Sequence, residues 1–212
     1  CILSGAVYIL NDIADLKEDK NHPLKSKRPI ASGQLKVHYA LGVFIFLSLL
    51  SLGTSFVLHF AFFLVALVYL SLQLGYSLFL KHLVIIDVIS VAIGFVLRVI
   101  AGAVVIEVTV SPWLIVCTIL LALFLAMSKR RHELVLLDEE AQNHRTILGE
   151  YSPYLLDQMI SVVTASTLVA YCFYTISAAT VEKFGTKNLV FTIPFVLYGI
   201  FRYLYLIHQK EG

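Results

Sequence analysis

The stretch VHYALGVFIFLSLLSLGTSFVL (Val37–Leu58), followed after His59 by FAFFLVALVYLSLQLGYSLFL (Phe60–Leu80), decides the fold class. Neither block contains Asp, Glu, Lys or Arg. Each is long enough for one crossing, since a helix needs about 20 apolar residues to traverse some 30 Å of hydrocarbon. Comparable blocks recur near 84–105, 112–128, 157–179 and 188–208, and residues 1–11 read as the tail of another. A chain that is 59% hydrophobic and 14% charged with this spacing is expected to be all-α: a polytopic transmembrane helix bundle of about six full spans plus a partial one.

Neither a Ser/Pro-rich linker nor a low-complexity tract divides residues 1–212, so one integral-membrane domain is expected. The chain opens on Cys1 inside an apolar run, and the domain is expected to be incomplete at both ends, lacking an upstream helix and a half. Cys1, Cys117 and Cys172 lie in apolar segments without C-x-x-C spacing and read as small hydrophobes. The net charge of +2 averages an acidic patch with basic clusters. The bilayer is the expected partner; no nucleic acid is, and the oligomeric state is left open.

Cations concentrate after the partial first helix (Lys17, Lys20, Lys25, Lys27, Arg28, Lys36) and after Met127 (Lys129, Arg130, Arg131, Arg145). The positive-inside bias predicts that both loops are cytoplasmic, in the inner (cell) membrane. Alternate threading then puts Lys81-His82 and the C-terminus on the same side, and leaves Lys183 and Lys187 outside. Four spans separate the two charged loops, a pattern that hints at an internally duplicated four-helix unit.

Between these loops and the spans sits the chemistry. Asn11-Asp12-Ile13-Ala14-Asp15-Leu16-Lys17-Glu18-Asp19 masses carboxylates at the mouth of an apolar segment. On a helix, Asn11, Asp12, Asp15 and Asp19 fall within an arc of roughly 100°. Such a face repels itself without a cation, and a few hard oxygen ligands suit Mg²⁺, which takes the rest of its shell from water and substrate phosphates. Lys25, Lys27 and Arg28 follow at once, making a diphosphate clamp in which cations neutralise charge on a leaving group. The bland alternative is that they anchor the loop to anionic headgroups.

The second loop reads Ser128-Lys129-Arg130-Arg131-His132-Glu133. On a continued helix Lys129 and Glu133 are i, i+4 neighbours, so Glu133 either helps a metal or holds Lys129, while Arg130 or Arg131 takes a phosphate. Within the spans, Asp87 and Arg98 return to within about 20° of one azimuth. Charges at that depth normally face a bundle interior. Asp87 is expected to reach the phosphate site and Arg98 to pair within the bundle.

Together, N-D-x-x-D-x-x-x-D at 11–19, H-P-x-K-x-K-R-P-I-A-S-G at 22–33 and Tyr76-Ser77 with Lys81 and Asp87 resemble the UbiA superfamily of intramembrane prenyltransferases. The resemblance implies a helical bundle with a central cavity and a Mg²⁺-held diphosphate. On it, Asn11, Asp15 and Asp19 are the metal and diphosphate residues, Asp12 adjoins them, and Arg28 and Lys81 contact phosphate.

Most of that family carries a second aspartate-rich motif where this chain has Lys129-Arg130-Arg131-His132-Glu133. That departure, with Tyr151-Ser152-Pro153 and the segment from Pro194 to Tyr203, is similar to the decaprenyl-phosphate phosphoribosyltransferase branch. The resemblance implies transfer of 5-phosphoribose from phosphoribosyl diphosphate to a polyprenyl phosphate. Asp15 and Asp19 would hold Mg²⁺ on the departing diphosphate, and Lys129 and Arg130 the attacking phosphate. A sibling activity, transfer from a prenyl diphosphate to an aromatic quinone precursor, shares everything but the second loop. A transporter whose charges couple ions is the alternative from another class.

Overall fold

The computed structural model describes residues 1–22, 24–137 and 150–209. Pro23 and Arg145, both used in reading the sequence, lie outside these residues. Helices α1 (Ile2–Ala14) and α2 (Leu16–Asn21) lead through a 3-10 turn (Lys25–Lys27) to α3 (Val37–Leu58) and α4 (Phe60–Leu78). A second 3-10 turn (Leu80–His82) precedes α5 (Ile86–Val105) and α6 (Pro112–Leu137). Then come α7 (Pro153–Ile176), α8 (Ala178–Phe184) and α9 (Ile193–Gln209), the last entered through a 3-10 turn at Asn188–Thr192. Among the described residues there is no strand, and six helical segments are long and apolar enough to cross a membrane.

Element boundaries differ from expectation where polar groups intervene. The span expected at 112–128 continues as helix through the cations to Leu137, because several of those side chains are paired within the protein. The span expected from 157 starts at Pro153, where Ser152 caps the helix by accepting the Leu155 N–H (3.1 Å) and proline takes a first-turn position that needs no donor. The acidic face is not one unbroken helix. α1 stops at Ala14, yet Asp15 N–H still donates to the Asn11 carbonyl and Asp19 N–H to that of Asp15, both at 2.8 Å. The turn-by-turn order of the face therefore survives the break.

Packing follows the order α3, α1, α4, α5, α6, α7, α9, each helix against the next. Val7 of α1 meets Tyr69 and Leu70 of α4 in one core cluster, and Val88, Phe124, Met127, Ile160 and Val163 join α5, α6 and α7 in another. The polarity is that of a membrane protein. On α3, the small residues Ala40, Ser48 and Ser55 are buried while Phe46, Leu49, Phe56 and Val57 face out, as expected when lipid supplies the apolar solvent and small residues let helices approach. The buried charges, conversely, gather at one end: Asp15, Asp19, Lys81, Asp87, Arg130 and Glu133.

Candidate active site

A cavity of about 320 Å³ opens among α1, α4, α5 and α6. Asn11 and Asp15 line it from α1 and its end, Lys25 and Arg28 from the first loop, Tyr76 and Ser77 from α4, and Lys129, Arg130 and Glu133 from α6. Asn11 Nδ2 donates to Asp15 Oδ2 (3.2 Å), and Ser77 Oγ donates to Asn11 Oδ1 (3.4 Å).

Each of the three aspartates of the first loop has a cation. Arg28 Nη1 donates to Asp12 Oδ1 (2.7 Å) and to Asp19 Oδ2 (2.8 Å), while Lys81 Nζ donates to Asp15 Oδ1. The Lys81–Asp15 pair is nearly fully buried, so loss of either partner strands the other charge away from water.

The second loop is organised around Arg130. Its Nε donates to Asp87 Oδ2 (2.9 Å), Nη1 to Glu133 Oε2 (3.1 Å) and Nη2 to Tyr76 Oη (3.4 Å). Asp87, 0% exposed, also accepts from the Tyr151 hydroxyl (2.9 Å), which in turn accepts the backbone N–H of Ile85 (2.7 Å). Ile85 has φ of 69°, a left-handed conformation costly for a β-branched residue, and the Tyr151 contact holds it as α5 begins. Burial above all, offset by the Ile85 N–H and aided by the bond to Asp87, leaves the Tyr151 hydroxyl pushed up to about 12. Tyr151 therefore stays protonated and keeps donating to Asp87.

Glu133 joins the loops. Its Oε1 accepts from Lys25 Nζ at 2.9 Å, across 108 residues of sequence. Asn11, Asp15, Lys25, Arg28, Lys129, Arg130 and Glu133 thus share one cavity. Other residues expected at the site lie elsewhere. Arg131 donates to Asp157 Oδ1 of α7 (2.5 Å) and does not line the cavity, because consecutive helical residues diverge by about 100° and Arg130 takes the inward direction. Lys27 is exposed and outside the lining. Asp87, Lys81, Asp12 and Asp19 are also off the wall; each instead holds a cation or is held by an anion of it. The carboxylate of Asp19, the expected third metal ligand, accepts from Arg28, which draws Asp12 and Asp19 to one guanidinium.

Arg98 was expected to pair within the bundle. It does so through Tyr69, whose hydroxyl accepts from Nη2 (2.7 Å), and no carboxylate among the described residues is its partner. Tyr69, Gln73 and Tyr151 escaped the sequence reading as individual site residues. Only Tyr151, beside Ser-Pro, carried a local signal.

Among the described residues no three His, Cys, Asp or Glu side chains gather as a metal cluster. The cavity wall offers Asn11 and Asp15 one turn apart. This oxygen-only pair fits Mg²⁺, an ion that keeps waters and shares phosphate oxygens, better than a metal needing a full protein cage.

The UbiA prenyltransferase family matches residues 1–212, the whole chain. The chain belongs to that family. Among curated relatives, the decaprenyl-phosphate phosphoribosyltransferase of Corynebacterium glutamicum is 34% identical over all of this chain and 64% of its own length. The enzyme of that name from Mycolicibacterium smegmatis is 28% identical over 94% of this chain and 66% of its own length. The chain thus spans about two thirds of these relatives. A UbiA homolog from Archaeoglobus fulgidus, solved bound to DMAPP and Mg²⁺, superposes with a TM-score of 0.79 at 21% identity, covering 94% of this chain and 71% of that one. The shared UbiA fold puts the six apolar segments in a membrane.

Proposed function

We propose that this chain carries the active site of a polyprenyl-phosphate phosphoribosyltransferase. It moves 5-phosphoribose from phosphoribosyl diphosphate to a decaprenyl-type phosphate and releases diphosphate, at the cytoplasmic face of the inner membrane. The observation that carries the reading is that Lys129, Arg130 and Glu133 face the same cavity as Asn11 and Asp15, with Glu133 tied to Lys25 at 2.9 Å. The names of the two bacterial relatives support it, as does the clustering of cations at this end of the bundle.

The electrostatics distinguish this reaction from prenyl transfer. A prenyl diphosphate brings one anion to the site and a hydrocarbon to the interior. Here the acceptor is itself a phosphate and must approach an anionic donor. Lys129 and Arg130 are preorganised cations that lower that repulsion, and Arg130 is held in direction by Asp87 and Glu133. Arg28, oriented by Asp12 and Asp19, and Lys25 bind the diphosphate end. Mg²⁺ would be held by Asn11 and Asp15, and when bound it neutralises charge on the leaving group.

In the transfer, the bond from the anomeric carbon to the diphosphate oxygen breaks and diphosphate keeps the electron pair. A new bond forms to an oxygen of the lipid phosphate. That phosphate is already ionised near neutral pH, its second pKa being about 6, so no side chain removes a proton. Glu133 is then a positioning residue. Val88, Val91, Leu125 and Ala126 are among the apolar residues of the cavity wall, suited to the first isoprene units.

The test is incubation of purified protein with Mg²⁺, labelled phosphoribosyl diphosphate and a polyprenyl phosphate. A mild-acid-labile phosphoribosyl lipid and stoichiometric diphosphate are expected. Transfer of prenyl groups to an aromatic acid instead would contradict the reading.

A further inference from the structure

The cavity continues inward from the charged loops to Gln73 of α4 and Arg98 of α5. A guanidinium at the depth of the hydrocarbon is costly to insert and normally marks a functional partner. Arg98 is firmly seated: its guanidinium lies 5.3 Å from the Tyr69 ring centroid and 5.1 Å from that of Phe95, and Tyr69 Oη, which accepts from it, lies 3.4 Å from Ser4 Oγ. Among the described residues that is its one hydrogen bond, so most of its N–H fork remains for the cavity.

Gln73 adjoins it. A Cβ on Gly94 would come within 2.8 Å of Gln73 Nε2, so the absent side chain is what lets the Gln73 amide lie across α5, one turn from Arg98. Depth completes the picture. Ser77 contacts Asn11, and on the same helix Gln73 and Tyr69, the hydrogen-bond partner of Arg98, lie four and eight residues earlier, about 6 and 12 Å further along the axis. A ribose bearing phosphate groups at both ends is of that order in length.

We propose that Arg98 and Gln73 form a subsite for a phosphate monoester at the inner end of the cavity, opposite the diphosphate end at Asn11 and Asp15. The inference rests on the reaction proposed above, in which two such groups take part, the donor's 5-phosphate and the lipid headgroup. The matched length favours the 5-phosphate. A fork of parallel N–H groups beside an amide donor is the chemistry that binds a phosphate dianion. A prenyl chain in the same place would leave the guanidinium facing hydrocarbon, so the subsite also selects between donors.

Isothermal titration of the purified protein with phosphoribosyl diphosphate, diphosphate (both with Mg²⁺), farnesyl phosphate and geranyl diphosphate tests this. Arg98→Gln is expected to weaken phosphoribosyl diphosphate at least roughly tenfold, the loss of a charge-assisted hydrogen bond, while diphosphate changes by less than about twofold. Arg98→Lys should recover part of the loss, since it restores charge without the fork. A loss confined to farnesyl phosphate would support the subsite and assign it to the lipid headgroup. Equal losses for phosphoribosyl diphosphate and diphosphate, or no loss for any phosphate, would overturn it. Should Arg98→Gln fail to fold, as absent diphosphate binding would report, Gln73→Leu decides: a selective loss of one monoester supports the subsite and an unchanged profile overturns it. If wild-type protein binds phosphoribosyl diphosphate no better than geranyl diphosphate, the proposed reaction itself fails. If wild type prefers phosphoribosyl diphosphate and Arg98→Gln weakens neither that ligand nor farnesyl phosphate, only the subsite falls.

Discussion

The two charged loops are opposite in composition and are also built by opposite means. In the first, carboxylates come from one short segment and their cations arrive from elsewhere, Arg28 from the returning loop and Lys81 from the turn after α4. In the second, the central group is a cation, Arg130, and its anions come from α5 and from its own helix. The first arrangement leaves Asn11 and Asp15 on the cavity wall as oxygen donors, and the second leaves Lys129 and Arg130 there as cations. One side is therefore suited to a metal-bound leaving group and the other to an incoming anion, and Glu133 to Lys25 is the bond that couples them.

The largest effect should come from the first loop. Asp15→Asn removes a wall oxygen and leaves Lys81 buried without its carboxylate, and diphosphate release is expected to fall about 10²- to 10³-fold, as when a preorganised charge-stabilising group is lost. Full activity in that variant would break the comparison at its acidic side. Asp87→Asn attacks the other loop from behind. With Asp87 fully buried between Arg130 and Tyr151, the loss should resemble that of other broken buried pairs, about 3–5 kcal/mol, read as a lowered Tm in detergent.

Glu133→Gln is expected to act more gently. The KM for polyprenyl phosphate should rise roughly tenfold as Arg130 and Lys25 lose their shared anion, a cost of about 1.4 kcal/mol, while Mg²⁺-diphosphate affinity holds. An equal loss in both affinities would mean that Glu133 serves the leaving group instead. Arg131→Ala should do least, within about twofold in turnover, because its partner is Asp157 of α7 and it lies off the cavity. A hundredfold loss there would exchange the roles of Arg130 and Arg131.

Much of this was legible in the chain. The six spans follow from blocks whose length and apolarity leave a helix few alternatives, and seven of the residues singled out in the loops do meet at one cavity. What local sequence could not specify was direction. Arg130 and Arg131 are equivalent as letters, and only the continuation of α6 past the expected end of its span, with Asp87 on one side and Asp157 on the other, separates them. The Lys25–Glu133 contact joins segments with no shared periodicity, and Tyr69 and Gln73 are uncharged residues inside an apolar block, where composition gives no sign of a polar floor.

The central claim is that the two loops act on one cavity as a coupled pair, and a double-mutant cycle on Lys25→Met and Glu133→Gln measures that coupling directly. Contacting residues give interaction energies of about 0.5–3 kcal/mol, whereas independent sites add. The account predicts that kcat/KM of the double variant is no worse than that of the more damaging single variant. Losses that simply multiply would show that the loops work separately and would contradict it.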